Sequence, residues 1–365
     1  MARPAPDRCV HAAGTRPPDG RFPRPAIIGA VAFPKIELHV HLEGTVRATT
    51  LLDIARRNDV VLPADSPEGL AGLYEYRDFD HFLETWAITT SVLRTERDFR
   101  QIVVDYAAEA ASHGAVYLEG IFTPAEAVRR GAGWDEVFTG FCDGAQEARE
   151  RHDVQVRLTP DIPRGYPMDM VELTARHAVA YRDRGVVGLG LGGFEAQFPP
   201  EPYAGVFALA RDGGVPAVPH AGEAAGPESV RGALTALQAV RIRHGIRAIE
   251  DPELVRELAE RGIVLDVCPV SNLRTRSVAS LAEHPLPALV AAGVACSVST
   301  DDPAMFGTDL DLEYQVVQQL GVSPEECYRA GVQGALCDET TRETLREIGR
   351  KQGWFRDQPT PGGSS

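Results

Sequence analysis

Lysine is almost missing from this chain: its 37 basic side chains are arginines apart from Lys35 and Lys351. Neither lysine ends an internal strand, so the carboxylated lysine that bridges two metals in many binuclear hydrolase barrels is not expected, and a mononuclear centre is favoured. Cysteine is sparse and scattered. Cys9, Cys142, Cys268, Cys296, Cys327 and Cys337 form no C-x-x-C pair, which excludes a zinc ribbon or a thioredoxin-type redox site and fits a reducing, cytoplasmic setting. No run of 18 or more apolar residues occurs, so neither a membrane span nor a membrane partner is expected. Basic charge falls short of acidic charge, leaving a net −15. Nucleic acids, which require a basic surface, are therefore excluded as partners. The H-x-E…P-C-x-x-C pattern of one class of zinc deaminase is absent as well.

What is present reads as one large α/β domain. The 365 residues exceed the ~250 that a (β/α)₈ barrel typically needs. Short β-branched runs are predicted as strands at Ile36–His41, Ala115–Phe122, Val154–Pro160, Val186–Leu191, Val215–His220, Val240–His244, Ile263–Cys268 and Ala295–Thr300. Between them lie helical patterns such as Glu96–Ser112, Trp134–His152, Met168–Arg184 and Pro252–Arg261. Alternation of this kind implies a parallel sheet, and eight such units imply closure into a TIM barrel; a doubly wound sheet is the competing arrangement. The long connection Glu43 to Gly114 holds several helical stretches, the pattern of a lid inserted after the first strand. Residues 1–30 and 351–365 are rich in Pro, Gly, Arg or Ser and read as disordered tails around a domain spanning 31–350. The apolar stretch Ala26 to Phe33 runs straight into Pro34-Lys35 without a cleavage site, so it is not read as a secretory signal.

Four predicted strand ends carry chemistry. His39-Val40-His41 places two imidazoles on one face of the first strand, at the end where barrel sites lie. His220-Ala221-Gly222-Glu223 ends the fifth strand and His244-Gly245 the sixth; Ser299-Thr300-Asp301-Asp302-Pro303 ends the eighth. Each has a plain structural reading. An isolated H-x-H is usually incidental, Glu223 suits a first helical turn, and Asp-Asp-Pro starts helices well. Closure of the barrel would bring all four together, however, and three His with one Asp make a credible zinc site with room for water. Iron or manganese would suit the same donors.

At this point the chain resembles the adenosine deaminase family of the amidohydrolase superfamily. The matching segments are Pro34 to Thr45 (P-K-I-E-L-H-V-H-L-E-G-T), His220 to Glu223, His244-Gly245, Cys268-Pro269-Val270-Ser271-Asn272 and Thr300 to Pro303. The resemblance implies one Zn²⁺ per chain held by His39, His41, His220 and Asp301. It implies that His244 orients and helps deprotonate the attacking water, and that Asp301 shares in the catalytic centre. Glu223 would protonate the purine N1, Asp302 would accept a hydrogen bond at the N7 side, and the Gly193 backbone N–H would meet N3. The substrate would be a small-molecule purine nucleoside, losing its 6-amino group as ammonia.

Departures from the family pattern fall on the sugar side. Where adenosine-specific members carry H-x-H-L-D-G, this chain has Glu43; the fourth strand has Gly190 where an Asp is usual, and the sixth reads Arg241-Ile242-Arg243-His244-Gly245. These points resemble the aminodeoxyfutalosine deaminase branch, on the futalosine route to menaquinone, whose nucleoside carries a benzoate on its 5′ side. Arg47 is then the expected partner of that carboxylate, with Glu43, Ser271, Phe79 and Phe82 also around the substrate. Adenosine and adenine remain open as substrates. A zinc hydrolase of amides or esters is the rival enzyme class. A catalytically dead binding protein is the rival outside enzymes, and it would have lost a ligand or Glu223.

Overall fold

The computed structural model describes residues 33–355. Eight parallel strands follow one another: β1 (Lys35–His41), β2 (Ala115–Phe122), β3 (Gln155–Pro163), β4 (Gly190–Gly192), β5 (His220–Ala221), β6 (Arg241–His244), β7 (Val264–Val267) and β8 (Cys296–Val298). They pair in sequence order as two curved four-stranded halves. Leu189 bridges to Ala217 between the halves, and Val40 bridges to Asp301 at the other seam. At that second seam the His41 N–H donates to the Asp301 carbonyl (2.8 Å) and the Asp301 N–H to the His39 carbonyl (3.1 Å). The expected TIM barrel is therefore closed, and its last join is made by the residues expected to carry the chemistry.

Strands β4 to β8 are all shorter than the β-branched runs predict, and in β5 the reason is covalent. Val215–His220 contains Pro216 and Pro219, which cannot donate to a ladder, and only His220–Ala221 remains regular. The run Gly188–Gly193 spells G-x-G-x-x-G but opens no helix; it supplies β4, three residues long. The helix predicted to reach Arg184 ends at Ala180 and is followed by a 3₁₀ turn at Arg182–Arg184. Other helix limits fall where the pattern put them, at Glu96–Ser112, Trp134–His152 and Pro252–Arg261.

The connection after β1 contains α1 (Ala48–Arg57), α2 (Pro67–Leu73), α3 (Phe79–Thr90) and α4 (Glu96–Ser112). Helix α3 starts where the Asp78 carboxylate accepts the His81 N–H (2.9 Å), an ordinary N-cap. Phe82 packs with Tyr76 and Phe306 in a satellite core with Met305 and Val270, so α3 is held against the loops that follow β7 and β8. The fold also runs past the expected limit at 350. Trp354 and Phe355 pack on Tyr328, and Trp354 lies 5.8 Å from the Phe33 ring. The expected tail at residues 1–30, residues 356–365 of the other, and the apolar stretch from Ala26 up to Ala32 lie outside the described residues. Among those described, no helix is long and apolar enough to cross a membrane.

Candidate active site

Each expected donor sits at the carboxyl end of its strand or on the turn just beyond it, and the turns are tight. His244 and Asp301 both adopt the left-handed backbone region (φ 61° and 66°), which costs a non-glycine residue about 1–3 kcal/mol and persists where the surroundings enforce it. The result is convergence. His39 Nε2 and His41 Nε2 each lie 3.1 Å from His220 Nε2, and Asp301 Oδ1 lies 3.3 and 3.4 Å from the first two. Donors held at about 2.0–2.1 Å in a tetrahedron stand roughly 3.3 Å from one another. Three imidazole nitrogens and a carboxylate oxygen thus share one point, and His41, His39, His220 and Asp301 can hold a metal together. Burial pushes all three imidazoles well below their ordinary pKa, so they are neutral and their lone pairs are free to bind.

Groups around the four donors fix their orientation. His220 Nδ1 lies 3.2 Å from the Leu191 carbonyl and 3.3 Å from Asp161 Oδ2. The Ser271 hydroxyl donates to Asp301 Oδ2 (2.6 Å). The Asp161 carboxylate accounts for two departures at once. A Cβ on Gly190 would meet Asp161 Oδ1 at 1.9 Å and the Arg243 guanidinium at 2.2 Å, and Arg243 donates to that same oxygen. The carboxylate beside His220 thus comes from β3 rather than β4, and Gly190 makes room for it.

Glu223 is carried by a loop pinned from below. The Glu195 carboxylate accepts the backbone N–H groups of Gly222, Glu223, Ala224 and Ala225 (2.5–3.1 Å). Glu223 itself is buried, and its Oε1 has no hydrogen-bond partner. Burial first, then the charges of Asp301 and Glu195, hold its carboxyl pKa well above the usual range. Asp302 is raised in the same direction by burial and by Asp301, while the Trp86 indole N–H donates to its Oδ1 (3.0 Å). Gly44 has to be glycine here, because a Cβ would sit 1.8 Å from that oxygen.

A cavity of about 300 Å³ opens from this cluster, bordered by His41, His220, Glu223, His244, Asp301, Asp302 and Gly193. Phe79, Phe82, Leu83 and Trp86 of α3 form one wall, with Phe194, Tyr166 and Arg164 on the other. A wider cleft of about 640 Å³ at the opposite end of the barrel, beside Arg157, Arg184 and Arg342, contains none of these residues.

Three expected substrate contacts lie elsewhere. Arg47 is paired with Glu109 through Nε (3.0 Å) and through Nη2, and it donates to the Pro303 carbonyl (3.3 Å); it does not border the cavity. Glu43 accepts the Thr123 N–H (2.7 Å) and faces a small void behind Trp86 rather than the main cavity. Ser271 serves Asp301, as above. Asp161, Arg164, Glu195, Trp86 and Asn272 were not anticipated. The strand-end positions of Asp161 and Glu195, and the place of Asn272 in the Cys268–Asn272 segment, were the signals the sequence offered.

The sequence profile of the adenosine deaminase family matches residues 34–349. Among curated proteins, an aminodeoxyfutalosine deaminase from Acidothermus cellulolyticus is 53% identical over 334 residues, which is 90% of this chain and 94% of that protein. Among solved structures, an adenine deaminase from Arthrobacter aurescens superposes with a TM-score of 0.84 at 30% identity, covering 88% of this chain and 99% of the other. An amidohydrolase from Burkholderia ambifaria with bound zinc superposes at 0.81 with 25% identity, over 93% and 97% of the two chains. With its strand-end donors in the family's order and the family profile spanning nearly the whole barrel, the chain belongs to the adenosine deaminase family.

Proposed function

We propose that this protein is a zinc-dependent hydrolase that removes the 6-amino group of an adenine nucleoside, and that its substrate is aminodeoxyfutalosine. The observation that carries deamination is the pair of raised carboxyls, Glu223 and Asp302, bordering one cavity with three of the four metal-type donors, His41, His220 and Asp301. A zinc ion bound by His39, His41, His220 and Asp301 would supply Lewis acidity and bring the pKa of a coordinated water to about 7.

This chain's own groups do the rest. Glu223, protonated at neutral pH, gives its hydrogen to the purine N1 as C6 becomes tetrahedral. The expected contact between Asp302 and N7 is read here in the opposite direction. N7 is itself an acceptor, so the raised, protonated Asp302 donates to it, with Trp86 holding the other oxygen. The Gly193 backbone N–H meets N3 at the cavity wall. His244 Nε2, 3.3 Å from Glu223 and 3.7 Å from Asp301, borders the space of the attacking water. Ammonia departs and the 6-oxo purine remains.

The choice of nucleoside is supported by the 53% identity to an aminodeoxyfutalosine deaminase and by the aromatic wall of α3, which suits an aryl group beyond the ribose. With Arg47 engaged elsewhere, Arg164 is the one guanidinium bordering the cavity among the described residues. The Tyr166 hydroxyl, also at the cavity, accepts from Arg129 (2.7 Å) and donates to Glu126. Arg164, whose Nε has no partner, is the group we assign to the 5′-side carboxylate, which would make the reaction a step toward menaquinone. The five described cysteines are free, which supports a cytoplasmic setting. The test follows the ultraviolet change on deamination for aminodeoxyfutalosine, adenosine and adenine at matched concentrations. The highest kcat/KM is expected for aminodeoxyfutalosine. A preference for adenine, the activity named for the Arthrobacter aurescens structure, or for adenosine, would overturn the substrate assignment.

A further inference from the structure

Behind His244 runs a chain of buried polar groups that the reaction as described leaves unused. Its far end is fixed by the backbone. The Leu286 N–H donates to His284 Nδ1 (3.1 Å), so that nitrogen carries no hydrogen. Burial keeps His284 neutral, with its pKa pushed down to about 4. Its single ring hydrogen is therefore on Nε2, which lies 3.2 Å from Asn272 Oδ1. That contact sets which end of the amide is oxygen. The Asn272 amide nitrogen, Nδ2, then lies 3.2 Å from His244 Nδ1. An amide nitrogen only donates, so His244 Nδ1 must accept. All three side chains are buried.

We infer that Asn272, locked by His284, is a positioning residue that sets the tautomer of His244, keeping its ring hydrogen on Nε2, the nitrogen that faces the reacting centre. A histidine ring takes its tautomer from the hydrogen bond its other nitrogen makes. His244 then meets the attacking water as a hydrogen-bond donor that orients it, and not as the group that takes its hydrogen, which the family resemblance implied. Glu223 Oε2 lies 3.3 Å from the same nitrogen. One direction of donation, begun at the Leu286 backbone N–H, thus decides which nitrogen of His244 carries the hydrogen.

This inference rests on the deaminase reading for its consequence but not for its test. Nitrogen NMR of the zinc-loaded enzyme, labelled with ¹⁵N-histidine and assigned by the loss of signals in His244→Gln, reads the tautomer without substrate. A pyridine-type Nδ1 and a pyrrole-type Nε2 are expected for His244; a hydrogen on Nδ1 would overturn the inference. Asn272→Asp keeps the shape but replaces the donor by an acceptor. It should move the hydrogen to Nδ1 and lower kcat about 10- to 100-fold, the usual effect of losing a partner that orients a site histidine. KM should change by less than about threefold, because binding contacts are untouched. Unchanged kcat together with an unchanged spectrum would sink the idea. Should Asn272→Asp fail to fold, the spectrum of the unaltered protein decides alone. Failure to turn over any 6-aminopurine would overturn the deaminase reading and leave the tautomer result standing.

Discussion

The barrel holds two buried polar clusters, one in its interior and one at its carboxyl end, and they are built on opposite terms. In the interior, Arg241 donates to Asp266 (2.6 Å), Glu119 (2.6 Å), and the Gly334 and Leu38 carbonyls (2.6 and 3.2 Å). The remaining carboxylate oxygens accept from Ser297, Tyr117 and the Leu336 N–H. No side-chain atom of Arg241, Glu119 or Asp266 lacks a partner. At the carboxyl end, by contrast, His41 Nδ1 and Glu223 Oε1 are buried without one, three imidazole nitrogens face each other, and two residues sit in left-handed backbone. A satisfied cluster is structural. A cluster whose lone pairs and acidic hydrogens are left over has been arranged for something that comes from outside.

Substitutions can break this contrast. The largest effect on turnover is expected from Glu223→Gln, which should lower kcat by about 10²–10⁴-fold, the usual worth of a positioned acid, while zinc content by elemental analysis and the melting temperature stay near those of the unaltered protein. Retained turnover would remove Glu223 from the chemistry. Arg241→Met should do the reverse. Leaving Glu119 and Asp266 buried without their cation should cost about 3–5 kcal/mol of stability, read from urea unfolding, with kcat per folded molecule nearly intact. A large loss of kcat there would mean that the two clusters are not separable. The smallest effect sharpens the boundary of the site. Arg47→Ala removes a half-exposed pair with Glu109 and should change kcat/KM by less than about fivefold, the scale of such pairs, and equally for aminodeoxyfutalosine and adenosine. A loss confined to the carboxylated substrate would return Arg47 to the pocket.

The sequence was most legible where the physics is local. Helix limits at Glu96–Ser112 and Pro252–Arg261 follow from apolar spacing and caps, and the strand-end His and Asp residues were found because a barrel collects strand ends by construction. What was not legible depends on partners far along the chain. Arg47 follows directly after β1, and nearness in sequence suggested nearness to the pocket, but Glu109 on α4 claims it. Asp161 could not be matched to Gly190 without knowing that β3 and β4 lie side by side, with Asp161 opposite Gly190. That burial beside Asp301 raises the Asp302 carboxyl is likewise something composition does not reveal.

The seam between β1 and β8 imposes an order of events on the making of this protein. His39 and His41 leave the ribosome early, whereas Asp301 emerges only near the end of the chain and is hydrogen-bonded across the closing join to the backbone of both. No partly made chain can assemble the four donors, and bringing such distant segments together is the slow part of folding a barrel of non-local pairings. A metal held by these donors would therefore load late and would act as a clasp on the finished ring, tying its first strand to its last. A chain cut short before β8 would have most of the barrel's residues and none of its means of closure.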